Sequence, residues 1–154
     1  MFLPLKDINP TARRPIATYS LIIANVVVFL YELSLGSHVN AFIASFGATP
    51  YEITRLTDLV GRLTAGAEIV HQPGPPHVWL TLLTSMFMHA GFWHLGGNML
   101  YLYIFGNNIE DILGPVRFIL FYLASGFMAH ALHIASDPGS MIPTIGASGA
   151  VSGL

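Results

Sequence analysis

The sequence has 154 residues, of which 53% are hydrophobic and 9% are charged, and its mean hydropathy is +0.62. Soluble domains carry roughly 25% charged residues, so a chain of this size with so few charges cannot cover a water-soluble globule with polar surface. The composition therefore predicts a helical membrane protein. A formal net charge of −2 excludes a basic nucleic-acid-binding surface. The absence of cysteine excludes disulfides, thiolate metal sites and a cysteine nucleophile.

The first apolar run covers residues 16–33, after the basic residues Lys6, Arg13 and Arg14. Its length is that of a membrane-spanning helix, roughly 17–25 residues. A signal peptide is the alternative, but its apolar core is only about 7–15 residues long, and no convincing cleavage site follows. We therefore predict an N-terminal segment at residues 1–15 and a first span at residues 16–33.

A long first loop is predicted at residues 36–92. It mixes charged residues with Leu, Ile and Val and then reaches the breaker cluster QPGPP at residues 72–76. This pattern predicts short helices, either on the membrane surface with Trp79 as an interfacial anchor, or within a solvated loop. Glu32, just before the loop, is expected to reach the membrane interface.

Three further helices are predicted after the loop. The second span is expected at residues 93–108, and a charged turn, GNNIEDILGP, separates it from the third span at residues 115–134. A fourth helix begins at about residue 147, and the chain is expected to stop inside it. The predicted fold is an all-α, multi-pass membrane bundle at residues 16–154, with three full spans and the start of a fourth.

Basic residues predict the orientation of this bundle. Two groups flank the predicted spans: Lys6, Arg13, Arg14 and Arg117 on one side, and Arg55 and Arg62 on the other. Because basic residues accumulate on the cytoplasmic side, the larger group favours a cytoplasmic N-terminus. The runs HLGGN at residues 94–98 and GASG at residues 146–149 then begin at a similar depth near the outer face.

His94 and Asn98 are two polar residues of the second span. They stand four residues apart, so on a helix they share one face. Polar groups inside a span usually face the bundle interior, a cavity or a partner. Two interpretations stay open: the pair hydrogen-bonds the helix to a neighbour, or it serves a chemical site.

Ser148 lies in the GASG run, after a proline-containing loop and at the predicted start of the fourth helix. At that position its backbone N–H is unpaired, and the helix dipole favours an anion. The serine can therefore attack a carbonyl carbon while its own amide stabilises the oxyanion. The alternatives are an N-cap serine or a small packing residue; Gly149 and Gly153 form a G-x-x-x-G pair typical of helix packing.

Taken in order, these motifs resemble those of the rhomboid family of intramembrane serine proteases. The matching stretches are MHAGFWHLGGN at residues 88–98, Glu110-x-x-x-Gly114, and Gly146-x-Ser148-Gly149. Three ordered motifs are far more specific than any one of them. The likeness covers about residues 79–154.

This resemblance implies a six-helix core that cleaves membrane-spanning protein substrates within the lipid bilayer, without a metal or cofactor. It implies that Ser148 is the nucleophile and that His94 and Asn98 form the oxyanion hole with the Ser148 amide. It also implies structural roles for Gly114, Gly146, Gly149 and Glu110, whose carboxylate would hold the turn before the third helix.

The same resemblance places the general base, a histidine, on a sixth helix that this sequence is expected to lack. Without a base the Ser148 hydroxyl stays protonated, so the chain alone is expected to be inactive. His89, His130 and His133 are the candidates for a base within the sequence. A zinc site at His130 and His133 is the weaker interpretation, since no third ligand is evident. The alternative function is a rhomboid-like pseudoprotease that binds membrane-protein segments without cutting them.

Overall fold

The computed structural model describes residues 12–61 and 70–154. Within those ranges the regular elements are helices, as predicted, and an isolated β-bridge joins Ala48 to Thr144. The described helices are α1 (Ile16–Ser34), α2 (Val39–Phe46), α3 (Pro50–Arg55), α4 (Thr81–Thr84), α5 (Phe92–Tyr101), α6 (Asn107–Leu113), α7 (Pro115–Ser136) and α8 (Ser148–Val151). Short 3₁₀ turns flank α4, and a π-helical turn, Leu102–Gly106, joins α5 to α6.

Two of the described helices, α1 and α7, are long and apolar enough to cross a membrane, with 19 and 22 residues. Both start where the sequence predicts and end within two residues of the predicted positions. Each exposes large apolar side chains, among them Ile23 and Val27 on α1 and Met128 and Leu132 on α7. Exposed apolar surface of this extent is stable against lipid and unfavourable in water.

The second predicted span is longer than expected. The sequence analysis ended it near residue 108 and placed a charged turn after it, but the backbone stays helical from α5 through the π-helical turn and α6 to Leu113. The polar side chains of the expected turn have partners: Asn108 Nδ2 donates to the Ile104 carbonyl at 3.0 Å. Because such groups are paired, they do not end the helix. The helix ends instead at Gly114, whose φ is 77°, before Pro115 begins α7.

The described parts of the first loop dock on the segment that precedes α8. Ala48 and Thr144 exchange backbone hydrogen bonds of 3.0 and 2.9 Å. His71 Nε2 donates to the Met141 carbonyl at 2.9 Å, and its Nδ1 lies 3.4 Å from Glu52 Oε1. Burial raises the pKa of the Glu52 carboxyl above its ordinary value. Arg62 and Glu68, which belong to the predicted amphipathic segment, lie outside the described residues.

The two ends of the bundle carry different elements. At one end Asp111 accepts hydrogen bonds from the backbone amides of Ala12 and Arg13, so the end of α6 meets the start of α1. The opposite end holds the end of α1, the break before α5 and the start of α8.

The basic residues divide between the two ends as the sequence predicts. Arg13, Arg14 and Arg117 lie at the first end and Arg55 lies at the second, while Lys6 and Arg62 lie outside the described residues.

Helix α8 packs closely against α7 through small residues. A Cβ on Gly149 would lie 2.6 Å from the Ala129 Cβ, and a Cβ on Gly153 would overlap the Ser125 side chain. The G-x-x-x-G pair therefore packs one helix against another, as such pairs do in membranes. The buried core around this seam contains Ala17, Leu21, Met86, Leu102, Phe118, Tyr122, Ala147, Ala150 and Val151.

Candidate active site

Ser148 is the first residue of α8, and its side chain is exposed to a groove between α5 and α8. The groove has a volume of about 340 Å³, and Asn98 and Ser148 both line it. Among the hydrogen bonds of the described residues, none uses the Ser148 amide as donor. That amide is one of the unpaired N–H groups expected at a helix start.

His94 lies in the first turn of α5, with its ring against Gly146. A Cβ built on Gly146 would lie 2.6 Å from His94 Cε1, 2.7 Å from His94 Nε2 and 3.6 Å from Ser148 Oγ. The ring and the hydroxyl therefore meet at this glycine. The Ala90 N–H donates to His94 Nδ1 at 3.4 Å, so the proton of the neutral ring is on Nε2. The nitrogen that faces Gly146 is thus a hydrogen-bond donor.

Asn98 is buried, with 8% of its surface exposed, one turn after His94. Its Nδ2 donates to the His94 carbonyl at 2.9 Å, which leaves the second N–H of the amide for the groove. In the described part of the chain, neither the His94 nor the Asn98 side chain hydrogen-bonds to a neighbouring helix. The geometry therefore favours a chemical site over a helix-joining role.

Gly146 is fixed in a conformation that suits glycine. Its φ is +125°, and a side chain there would overlap the His94 ring. The Gly146 N–H donates to the carbonyl of the buried Ser85 at 2.8 Å. Ser85 Oγ is in turn hydrogen-bonded to His130 Nε2 of α7, at 3.1 Å. These contacts connect α7 to Gly146, which lies between the His94 ring and Ser148.

The comparison with known protein families agrees with this geometry. The Rhomboid domain matches residues 76–154, a little over half of the chain. The chain belongs to the rhomboid family. Membership in this family, together with two apolar helices, makes it an integral membrane protein. The matched rhomboid region contains His94, Asn98, Glu110 and Ser148.

Several curated rhomboid proteins are similar to the chain. Rhomboid protease GluP of Bacillus subtilis is 33% identical over 141 residues, 91% of this chain and 23% of that protein. Rhomboid-like protein 11, chloroplastic, of Arabidopsis thaliana is 38% identical over 76 residues, 49% of this chain and 27% of that protein. Rhomboid-type serine protease 2 of Emericella nidulans is 33% identical over 89 residues, 58% of this chain and 17% of that protein.

The chain spans less than two fifths of the length of these curated relatives. No solved structure matches it with significance.

The three histidines that the sequence offers as bases have different surroundings. His130 is hydrogen-bonded to Ser85, and His133 Nε2 to Thr144 Oγ1 at 2.8 Å. Both line a cavity of about 170 Å³ that Ser148 also lines. The His89 ring packs edge-on against the His94 ring, with centroids 5.0 Å apart. Within the described residues, no histidine hydrogen-bonds to Ser148 Oγ, and no three His, Cys, Asp or Glu side chains form a metal site.

The Glu110 carboxylate binds the start of α1. It accepts hydrogen bonds from the amides of Ala17 and Thr18, at 2.9 and 2.7 Å, and from Thr18 Oγ1 at 2.8 Å. It therefore caps the start of α1, because first-turn amides lack helical partners and attract negative charge. The Glu110 backbone carbonyl accepts a hydrogen bond from the Gly114 N–H at 2.7 Å, in the turn before α7.

Glu32 is buried, although the sequence predicted that it reaches the membrane interface. Only 2% of it is exposed, so it does not reach the membrane interface. Its Oε2 accepts a hydrogen bond from the His89 backbone amide at 3.1 Å. No sequence signal indicates this contact, because 57 residues separate the two partners.

Proposed function

We propose that the chain carries the nucleophile and the oxyanion hole of a rhomboid-type intramembrane serine endopeptidase. Ser148 is the nucleophile, and the donors to the oxyanion are His94 Nε2–H, the Asn98 side-chain amide and the Ser148 N–H. One arrangement supports this proposal: His94 and Ser148 meet at Gly146, while Asn98 and Ser148 line the same groove.

The proposed chemistry follows from these positions. Ser148 Oγ attacks the carbonyl carbon of a substrate peptide, the new C–O bond forms, and negative charge collects on the carbonyl oxygen. Fixed donors stabilise that charge most strongly where little water competes, as in a groove between membrane helices. A general base takes the Oγ proton and gives it to the leaving amine as the peptide C–N bond breaks, and water then hydrolyses the acyl ester on Ser148. By resemblance this base is a histidine of the sixth helix.

The proposed substrates are membrane-spanning proteins, and the groove between α5 and α8 is the proposed binding site for their scissile segment. We further propose that the helical run from Phe92 to Leu113 is the second span. Its 22 residues correspond to about 33 Å at 1.5 Å per residue, close to the thickness of a bilayer core. We propose that the start of α8 is the start of the fourth span and that the N-terminus is cytoplasmic, which the basic residues at the first end of the bundle favour.

A serine-directed fluorophosphonate probe tests the proposed nucleophile. When a histidine-bearing sixth helix is present in the same polypeptide, we expect the probe to label Ser148 and Ser148→Ala to abolish labelling. Ser152→Ala is the matched control, because Ser152 lines the same groove and its labelling effect should be small. The 154-residue chain alone should be labelled only weakly.

Two results would change this proposal. Strong labelling of the 154-residue chain, lost in Ser148→Ala, would place a base within the chain, and Gln variants of His89, His130 and His133 would identify it. An unlabelled polypeptide that includes the sixth helix would favour the pseudoprotease function, in which the same helices bind membrane-protein segments without cutting them.

A further inference from the structure

A second cavity lies outside the groove of Ser148, between the end of α1, the start of α2 and the break before α5. Its volume is about 490 Å³, within the range of small-molecule sites. Its walls are mainly apolar and include Phe29, Ile43 and Phe92, and its buried polar side chains are Glu32 and His89. Neither Ser148 nor Asn98 lines it, so the cavity is separate from the proposed active site.

Both polar side chains have atoms without partners. Glu32 is 2% exposed, and its Oε1 has no hydrogen-bond partner among the described residues. His89 is 3% exposed; its ring interacts with the Phe87 backbone, but within the described residues neither ring nitrogen makes a hydrogen bond of ordinary geometry. Buried polar atoms are almost always paired, because an unpaired one loses its hydration without compensation. Two such side chains facing one cavity indicate a ligand that pairs with them.

The charge of the missing partner follows from the surrounding residues. A buried carboxylate needs a positive charge or a proton beside it. No Lys or Arg is among the described residues that line the cavity. His89 does not supply the charge at neutral pH, because burial and the neighbouring His94 lower its pKa to about 4. None of the described residues around the cavity supplies this charge, whereas a bound cation can supply it.

We propose that this cavity binds a primary ammonium group attached to an apolar chain. The ammonium lies at Glu32 Oε1 and a ring nitrogen of His89, and the apolar chain lies along Phe29, Ile43 and Phe92. A primary ammonium has three N–H donors, so it can pair with both acceptors at once. Phe92 and Leu33 line the cavity and are themselves 69% and 47% exposed, which opens the site to the apolar surroundings of the bundle.

Titration with n-octylammonium chloride tests this proposal directly. The 154-residue chain in maltoside micelles at pH 7 should show saturable binding by calorimetry, and 1-octanol, which has the same chain without the charge, should bind at least about tenfold more weakly. Glu32→Gln keeps an oxygen for the His89 amide and removes the charge, so it should weaken octylammonium binding at least about tenfold. Asp58→Asn removes an exposed carboxylate outside the cavity and should leave binding unchanged.

Two further variants distinguish loss of the ammonium site from misfolding of Glu32→Gln and from failure of the protease proposal. Ile43→Trp fills the cavity and leaves Glu32 in place, so it should abolish saturable binding even if Glu32→Gln does not fold, with helicity checked by circular dichroism. Ser148→Ala should bind octylammonium like the unmodified chain, because the cavity does not depend on the proposed nucleophile. This separates failure of the ammonium site from failure of the protease proposal.

Lipid competition identifies the source of the ammonium group. In nanodiscs, phosphatidylethanolamine should compete with octylammonium if a lipid headgroup is the natural ligand, whereas phosphatidylcholine has no N–H donor and should not. Lack of competition by either lipid would assign the site to a soluble alkylamine. Equal binding of 1-octanol, unchanged binding in Glu32→Gln, or no saturable binding would overturn the proposal, and the last result would mean that Glu32 holds a proton instead.

Discussion

The His94 ring occupies the space that a side chain on Gly146 would need. Cε1 and Nε2 of the ring lie 2.6 and 2.7 Å from the position of that missing Cβ. The HLGGN motif on α5 and the GASG motif at the start of α8 are therefore complementary in shape. The His94 ring fills the space that Gly146, which has no side chain, leaves open. This contact holds a donor nitrogen beside the hydroxyl of Ser148.

Gly146→Ala should disrupt the site. The new methyl group would overlap the His94 ring, and the backbone strain at a φ of +125° alone costs about 1–3 kcal/mol. We expect a lower unfolding midpoint in detergent and, in a polypeptide that includes the sixth helix, loss of fluorophosphonate labelling. Gly96→Ala is the matched control, because a Cβ there meets nothing within 4 Å. Equal behaviour of the two variants would contradict the proposed contact.

Asn98→Ala should lower the rate of peptide cleavage with little effect on folding. Loss of one oxyanion donor typically reduces kcat by about 10²–10³. The measurement is kcat on a membrane-embedded reporter substrate, in a polypeptide that includes the sixth helix. Asn108→Ala removes an amide on α6 that does not line the groove of Ser148 and should leave kcat near its original value. An unchanged rate in Asn98→Ala would return this residue to a helix-joining role.

Glu110→Ala should destabilise the bundle more than Asp111→Ala. The first variant leaves the amides of the buried residues Ala17 and Thr18 without their acceptor, which costs about 2–5 kcal/mol. Asp111 accepts from exposed amides, so its loss should cost about 1 kcal/mol or less. Unfolding by titration with sodium dodecyl sulfate measures both. A larger effect at Asp111 would refute the capping role of Glu110.

His89 should make the protein less stable in acid. Burial and the neighbouring His94 lower its pKa from 6.5 to about 4, so the folded state holds the neutral ring and the unfolded state binds the proton more readily. Above pH 6.5 the His89 ring is neutral in both states. As the pH falls towards 4, the free energy of unfolding decreases by about 3 kcal/mol in total because of this group. The groups that face it are His94 and the carboxylate of Glu32.

The measurement is the unfolding midpoint between pH 7 and pH 4. We expect a fall for the unmodified chain and a smaller fall for His89→Gln, whose side chain does not titrate. His77→Gln changes an exposed histidine of the same loop and should follow the unmodified chain. A His89→Gln curve parallel to that of the unmodified chain would show that other groups carry the acid sensitivity.

The sequence alone indicated the elements whose signals are local. The limits of α1 and α7 follow from uninterrupted apolar runs, since hydropathy over about 20 residues decides whether a helix is stable in lipid. Pro115 marks the start of α7 because proline suits the first helical position. The ordered motifs around His94, Asn98 and Ser148 were sufficient to indicate the rhomboid family, which the family comparison confirms.

Only the tertiary structure decided the contacts between distant parts of the chain. Glu110 caps α1 across more than 90 residues, and α6 is helical where the sequence predicted a turn. Glu32 looked like an interfacial residue, yet packing buries it beside His89. The physical reason is the same in each case. Local sequence fixes which segments are helical and apolar, whereas the partners of a buried polar group depend on which helices the bundle brings together.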